Sequence, residues 1–405
     1  MELTPEVEGL FHGSAAELGC LHELYPGEIQ TEAGPVAGYG TAESVELARV
    51  RALCEGLERY CSFMPPPSAC RLSATAQELG EMALDLRLLP QCADSEHAAA
   101  FEGFRLAPPS PEVQREWVPG FSLTKQREIW IPLSCVYLGL PIPLTEHLSY
   151  PISTGFAAGE TYESAIRAGL FEVIERDSLA IWWLAQAPFP KLEAPFIDQP
   201  ALWHLLAKLE ERGLKSHLFD LTTDLKIPVV GVVQLSPQSF PHVVTMAACR
   251  RSTQDAAIRV LEEAASLRTA LTVSRRPNDD FSDVLAGFAV AAERFGLYHA
   301  GLASMKKFED RIAVAPVTKN GASAIKDIGI SPLVSHLNSL GHEVFVVDVT
   351  APEVRDLGIV VVRVLVPTLM PLTFSHAIRY LAHPRLSAWT AHYGTSVSHE
   401  PIPYA

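Results

Sequence analysis

The chain has 405 residues, 48% hydrophobic and 20% charged, the make-up of a folded globular protein and not of a disordered one. Its formal net charge of -15, with no run of Lys and Arg and with doublets such as Arg250–Arg251 and Lys306–Lys307 standing isolated, excludes a nucleic-acid-binding face. Seven cysteines, an odd number with no Cys-x-x-Cys pair, exclude a disulfide framework and a zinc ribbon and read as reduced thiols of a cytosolic protein.

The first 34 residues carry neither a basic n-region nor an apolar h-region, so they are taken as an N-terminal extension without a signal peptide. Residues 35–405 are taken as one catalytic domain ending in a Pro-rich tail. Val45, Ala48, Leu53, Leu57 and Tyr60 recur at helical spacing and predict a helix over 42–63, stopped by Pro65-Pro66-Pro67. Residues 70–115 are mixed, with a short helix near Gln77–Leu84 and a Pro-rich loop at Pro108–Pro111. Trp117–Leu138 alternates around a turn and reads as a strand pair. The clearest helix runs over 160–185, and another over 198–213 is ended by Gly213. Strands are expected at Ser216–Phe219 and Val229–Leu235, then helices over 253–272, 280–294 and 330–340, then strands over 343–349 and 358–366. No stretch approaches the ~18 apolar residues of a membrane span. The fold class is mixed α/β, without the regular alternation of a Rossmann sheet.

The segment ALCEGLERY (52–60) repeats the pattern of GLFEVIERD (169–177), and VLEEAASLR (260–268) is a weaker copy. These echoes lie too far apart for a solenoid and point to related αβ units facing one another. Glu55 and Glu58, and again Glu172 and Glu175, are spaced i, i+3 and share a helix face, where carboxylates repel unless a cation holds them. Mg2+ bound to nucleotide phosphates is such a cation. Arg59 and Arg176 follow directly and suit either a phosphate or the glutamates themselves. The competing reading is a solvated face with ordinary ion pairs; the apolar neighbours Leu53, Leu57, Leu170, Val173 and Ile174 count against it, and both stay open. Small residues over Ser153–Gly159 and at Gly38-Tyr39-Gly40 precede the two helices and suit either backbone approach to phosphate or a tight turn. Neither has Walker A spacing. His376, His383, His392 and His399 read as surface or packing residues, and no His-Glu-x-x-His or Gly-x-Ser-x-Gly occurs.

Four stretches together resemble the YcaO family: GYGTAESVELARVRALCEGLERYCS (38–62), STGFAAGETYESAIRAGLFEVIERDSLAIWW (153–183), AAIRVLEEAASLR (256–268) and VVRVLVPTLMPLTFSHAIRYLAHPRL (361–386). The resemblance implies an ATP-binding fold built from αβ units, unlike Rossmann or kinase folds. It implies that Glu55, Glu58, Glu172 and Glu175 help hold Mg2+ and the ATP phosphates, and that Ser153, Gly155, Arg59, Arg176, Glu263 and Arg268 contact the nucleotide. Where the family usually has Asn and then Glu four residues later, this chain has Glu160 and Ser164, so Glu160 is expected to supply the metal carboxylate from one helical turn away. Tyr39 stands where the family often has Lys, Arg51 where it often has Ser, and Ser266 where it has Gln. The C-terminus, Glu400-Pro401-Ile402-Pro403-Tyr404-Ala405, is similar to the Pro-x-Pro-x-Pro tail that reaches the active site in azoline-forming members. That likeness makes Pro401, Pro403 and Ala405 catalytic candidates.

The resemblance therefore implies a cyclodehydratase that uses ATP to activate backbone amides of a ribosomal precursor peptide and closes Cys, Ser or Thr into thiazoline or oxazoline. It further implies a ubiquitin-activating-like partner that binds the leader peptide, a homodimer, and no nucleic acid or membrane. Two alternatives remain: a thioamide- or macroamidine-forming enzyme with the same ATP chemistry, and a scaffold that has lost turnover, which the departures at Tyr39, Arg51, Ser164 and Ser266 keep open.

Overall fold

The structure, a computed structural model, describes residues 1–20, 35–99, 106–142, 146–193, 199–287, 292–318 and 329–404. In chain order the elements are β1 His12–Cys20, β2 Pro35–Ala42, α1 Val45–Ser62, β3 Leu72–Ala74, α2 Ala76–Leu79, α3 Asp94–Ala99, β4 Arg115–Ser122, β5 Arg127–Pro132, α4 Leu133–Val136, β6 Phe156–Gly159 and α5 Tyr162–Leu184. Then come β7 Lys191–Leu192, α6 Pro200–Glu211, β8 Lys215–Asp220, β9 Val229–Leu235, β10 Val243–Cys249, α7 Thr253–Ser274, α8 Ser282–Ala286, α9 Glu293–His299, α10 Leu302–Val314 and β11 Val317–Thr318. The last are α11 Ile330–Ser339, β12 Phe345–Asp348, α12 Pro352–Asp356, β13 Val360–Leu365 and α13 Pro384–Tyr393.

Three long helices start the same way. Ser44, Thr161 and Ser252 sit in extended backbone, and their hydroxyls accept the N–H of Leu47, Ser164 and Asp255. Each satisfies one of the orphan donors of a first helical turn. Ser164 also reaches back to the Thr161 N–H, closing a capping box. A short strand precedes each cap, so β2–α1, β6–α5 and β10–α7 are three copies of one unit. In all three a glutamate follows the cap by eleven residues: Ser44 to Glu55, Thr161 to Glu172, Ser252 to Glu263.

The strands form a six-stranded sheet, β3-β4-β12-β13-β6 with β5 on β4, a five-stranded sheet, β10-β9-β8-β7-β11, and the pair β1-β2. Among the described residues the paired strands are antiparallel except β11 on β7. A doubly wound parallel sheet is thereby excluded, as expected. β1 pairs with β2 across the boundary drawn at residue 35, so residues 12–20 are bonded to the first strand of the domain. Helices α5 and α7 pack their apolar sides on the sheets, and Trp182, Phe219, Phe295 and Phe308 lie fully inside.

Several expected elements differ. The first helix starts at Val45, because residues 35–42 form β2. Gly38 and Gly40 lie in that strand, not in a turn. A Cβ at either would stand 2.1 Å from a carbonyl oxygen of α1, that of Ala52 or Ala48, so glycine here permits close helix-on-strand packing. Residues 153–159 likewise do not open the second helix: 156–159 are β6, and Gly155 takes φ +90. The helix expected near Gln77–Leu84 is one turn ending at Gly80, which takes φ +55. That over 280–294 is interrupted by Gly287, which takes φ +86, and resumes at Glu293. The alternation over Trp117–Leu138 gives the hairpin β4–β5 but ends at Pro132, where α4 begins.

Candidate functional site

The three units bring their glutamates together, and main-chain N–H groups of their strands hold them. Tyr39 in β2 donates to Glu55 at 2.8 Å, Ala158 in β6 to Glu58 at 2.8 Å, Gly155 just before β6 to Glu172 at 2.9 Å, and Cys249 in β10 to Glu175 at 2.9 Å. Glu55 and Glu172 are thus held from their own unit, Glu58 and Glu175 from the next. Burial, with the neighbouring carboxylates, pushes Glu58 and Glu175 up to about 8. Burial also raises Glu55, against the opposing pull of Arg59.

Guanidinium groups thread between the carboxylates. Arg59 pairs with Glu55 at 2.6 Å, and Arg176 with Glu172 at 3.4 Å and Glu175 at 4.0 Å. From the third unit, Arg259 reaches Glu262 at 3.3 Å and Glu263 at 2.7 Å, while Arg250 stands 3.7 Å from Glu263. Arg51 of α1 crosses to Glu262 at 2.6 Å and, with Arg259, donates to the carbonyl of Thr41. Arg250, Arg259 and Glu262 are not among the site residues expected from the sequence, and Arg51 is expected there only as a departure from the family. The signal was present: Arg51 and Arg259 each stand four residues before the glutamate that follows the cap by eleven, Glu55 and Glu263.

The expected site residues divide accordingly. Glu55, Glu58, Glu172, Glu175, Arg59, Arg176 and Glu263 are assembled in one cluster, with Gly155 bonded to it. Ser153 is exposed two residues before Gly155. Glu160 is a correction. It is exposed, lies before the cap Thr161 and not on the helix, and forms no bond with the cluster among the described residues. Ser164 is spent on the capping box, so the two do not stand one helical turn apart. Arg268 is a second correction. It is fully buried, donates to Gln234 and the carbonyl of Pro241, and burial lowers it to about 10. Five residues on from Glu263, it is turned about 140° around the helix.

The expected tail is not frayed. Residues 401–404 are buried, with Tyr404 1% exposed. The tail runs past Trp183 at the end of α5 to β10, and the charges of Arg311 and Arg176 lie beside Tyr404. The Pro401 carbonyl is held by His299 and that of Pro403 by Thr245 in β10; Ala405 lies outside the described residues. On the other side of Arg176 a cavity of about 90 Å³ is lined by Val173, Arg363, Tyr150 and Tyr380. Arg363 lies over the Phe156 ring at 4.5 Å, and burial lowers it to about 10.

Among the described residues, no three Asp, Glu, His or Cys side chains converge closely enough to hold a bare metal ion. Mg2+ is usually bound by one or two carboxylates plus substrate phosphates, not by an all-protein cage. Buried carboxylates pushed up to about 8, opposite arginines able to meet phosphate, fit a magnesium–nucleotide pair of that kind.

A sequence profile described as YcaO cyclodehydratase, ATP- and Mg2+-binding, matches residues 39–370. An uncharacterized protein of Methanothermobacter thermautotrophicus is 27% identical over 352 residues, covering 84% of this chain and 83% of its own. A heterocyclase solved in complex with substrate and cofactor superposes with a TM-score of 0.71 at 22% identity, over 91% of this chain and 49% of that one. YcaO from Methanopyrus kandleri bound with AMPPCP and Mg2+ superposes with a TM-score of 0.58 at 21% identity, over 88% of this chain and 85% of that one. The chain spans about half the length of that heterocyclase, and the likeness to both structures is one of fold.

Proposed function

The chain belongs to the YcaO family, and on that premise we propose that it is an ATP- and Mg2+-dependent cyclodehydratase acting on backbone amides of a ribosomal precursor peptide. The observation that carries this reading is the set of four glutamates, each held by a main-chain N–H in or next to a strand and two of them pushed up to about 8. Such carboxylates gain most from a divalent cation, because it removes both their burial cost and their mutual repulsion.

When bound, ATP with Mg2+ supplies the phosphoryl group that turns a poor leaving oxygen into phosphate. The chain's own part is to hold and orient. Glu55, Glu58, Glu172 and Glu175 receive the cations, Arg59 and Arg176 keep the glutamates turned inward, and Arg250 and Arg259 hold Glu263 from the third unit. Positioning of this kind is the main lever of phosphoryl-transfer sites. Pro401 and Pro403 of the buried tail are proposed to help shape the peptide's side of the site. The side chain of a Cys, Ser or Thr of the peptide, giving up its proton, would attack the preceding carbonyl; the resulting oxygen would take the γ-phosphoryl group of ATP, releasing ADP, and leave as phosphate while the amide nitrogen loses its proton to form the C=N bond of a thiazoline or oxazoline. We propose a separate ubiquitin-activating-like protein as the leader-binding partner, and a homodimer as the working form.

Calorimetry of ATP with Mg2+ on the full chain and on Glu172→Gln tests the site: binding by the wild type that the variant loses supports it, and no binding by a folded wild type refutes it. With a precursor in hand, mass spectrometry separates the products. Ring closure loses one water per residue, whereas a thioamide former exchanges oxygen for sulfur.

A further inference from the structure

The last residues of the tail are bonded through their carbonyls. Pro401 and Pro403 have no N–H to donate, so a segment of this composition cannot pair as a strand through those positions. Three of its carbonyl oxygens are instead taken by side chains from three different elements. The Trp183 indole of α5 donates to Glu400 at 3.2 Å, the His299 imidazole of α9 bonds Pro401 at 2.8 Å, and the Thr245 hydroxyl of β10 bonds Pro403. Lys307 adds an exposed ion pair to the Glu400 side chain at 2.7 Å.

His299 is the unusual member of the three. It is 1% exposed and sits edge-on to Trp183, Tyr298 and Phe308, with centroids 5.4, 4.8 and 5.8 Å away. A phenylalanine would fill that aromatic nest with no ring nitrogen left bare. The imidazole does leave one, since its Nδ1 has no hydrogen-bond partner among the described residues. A carbonyl only accepts, so the tautomer that bonds Pro401 carries its proton on Nε2. That donor is what the imidazole adds to an otherwise apolar contact.

We infer that His299 is a positioning residue for the reaction: by holding the Pro401 carbonyl it sets the end of the tail against Arg176 and the glutamates behind it. The Tyr404 ring is buried and its hydroxyl has no partner among the described residues. The tail's other anchors, Trp183 and Thr245, lie on α5 and β10, the elements that carry Arg176 and Glu175 and the Cys249 N–H that holds Glu175. Arg176 in turn bonds Glu172, so a displaced tail changes the surroundings of the cluster. The inference rests on the cyclodehydratase reading for its effect on turnover, but not for the anchoring itself.

The test uses the full chain with ATP and Mg2+ as the probe, in His299→Phe and His299→Gln. Hydrogen exchange at the amides of Ile402 and Tyr404 reads the tail, and steady-state ATP hydrolysis reads kcat and KM. His299→Phe keeps the aromatic packing and removes the donor. It is expected to speed exchange in the tail and lower kcat by about 10- to 100-fold, the cost of a small misplacement, with KM for ATP unchanged. His299→Gln restores a donor near Nε2 and should recover both readouts. Wild-type turnover in the Phe variant, lost turnover with a still-protected tail, or no recovery in the Gln variant would each overturn the inference. Should His299→Phe fail to fold, Thr245→Val removes the neighbouring anchor at nearly constant shape and must give the same split. A wild type that hydrolyses no ATP refutes the enzymatic reading and the effect on turnover together, while the exchange comparison still decides whether His299 holds the tail.

Discussion

The carboxylate of Glu58 accepts the main-chain N–H of Ala158 at 2.8 Å, across from its own helix to the strand of the next unit, and Glu175 repeats this with Cys249 at 2.9 Å. Both are pushed up to about 8 from an ordinary 4.5, first by burial. The folded chain therefore keeps protons that the unfolded chain releases above about 4.5. The stability this confers is complete below that pH and is lost as pH rises through about 8. Thermal melts without nucleotide should show this fall, and ATP with Mg2+ should flatten it, because the cation takes the place of the protons. A slope unchanged by Mg2+–ATP would contradict the clamp.

Buried histidines act in the opposite sense. Burial lowers His299 and His383, 1% and 2% exposed, to about 4 from 6.5. The unfolded chain takes up protons first as pH falls below 6.5, so their share of stability is lost between 6.5 and 4. With the glutamates losing stability above 4.5, the nucleotide-free protein should be most stable near the middle of the range, and urea midpoints from pH 4 to 8 locate that maximum.

Asp177 is fully buried and its carboxylate meets both the Arg385 guanidinium, at 2.7 Å to each oxygen, and the N–H of Met370 at 2.8 Å. Removing the guanidinium leaves a buried charge with one donor. Arg385→Ala should cost about 3–5 kcal/mol in urea unfolding. Asp224, the other partner of Arg385, is half exposed, and Asp224→Asn should cost about 1 kcal/mol or less.

Gly38→Ala puts a Cβ 2.1 Å from the Ala52 carbonyl and 2.3 Å from the Gly56 nitrogen, both backbone atoms of α1. Neither can swing away as a side chain would. The variant should lose at least about 1–3 kcal/mol by overpacking and weaken ATP binding, because Tyr39 and its bond to Glu55 move with the strand. Circular-dichroism melts and calorimetry on the same preparation check both effects.

The helical pairs Glu55–Glu58 and Glu172–Glu175 were legible because their spacing is local and their surroundings apolar. The strands that pin them were not. PVAGYGTA and FAAG are poor in β-branched residues, and they are strands because helices pack on their glycines and carboxylates accept their N–H groups. The third unit was only half legible: the cap and Glu263 repeat, but Ser266 replaces the second glutamate. Arg268 was misread because a match in pattern carries no information about which side of the helix faces the site. Glu160 was misread because the capping box places the start of the helix two residues later than expected.

Because Glu58 is held by the strand of the second unit and Glu175 by that of the third, no unit owns a complete binding position. Cutting the chain between β9 and β10 would leave Glu175 in one fragment and its donor, Cys249, in the other. Neither fragment alone should bind nucleotide, and any binding regained on mixing them would report reassembly of the interface itself.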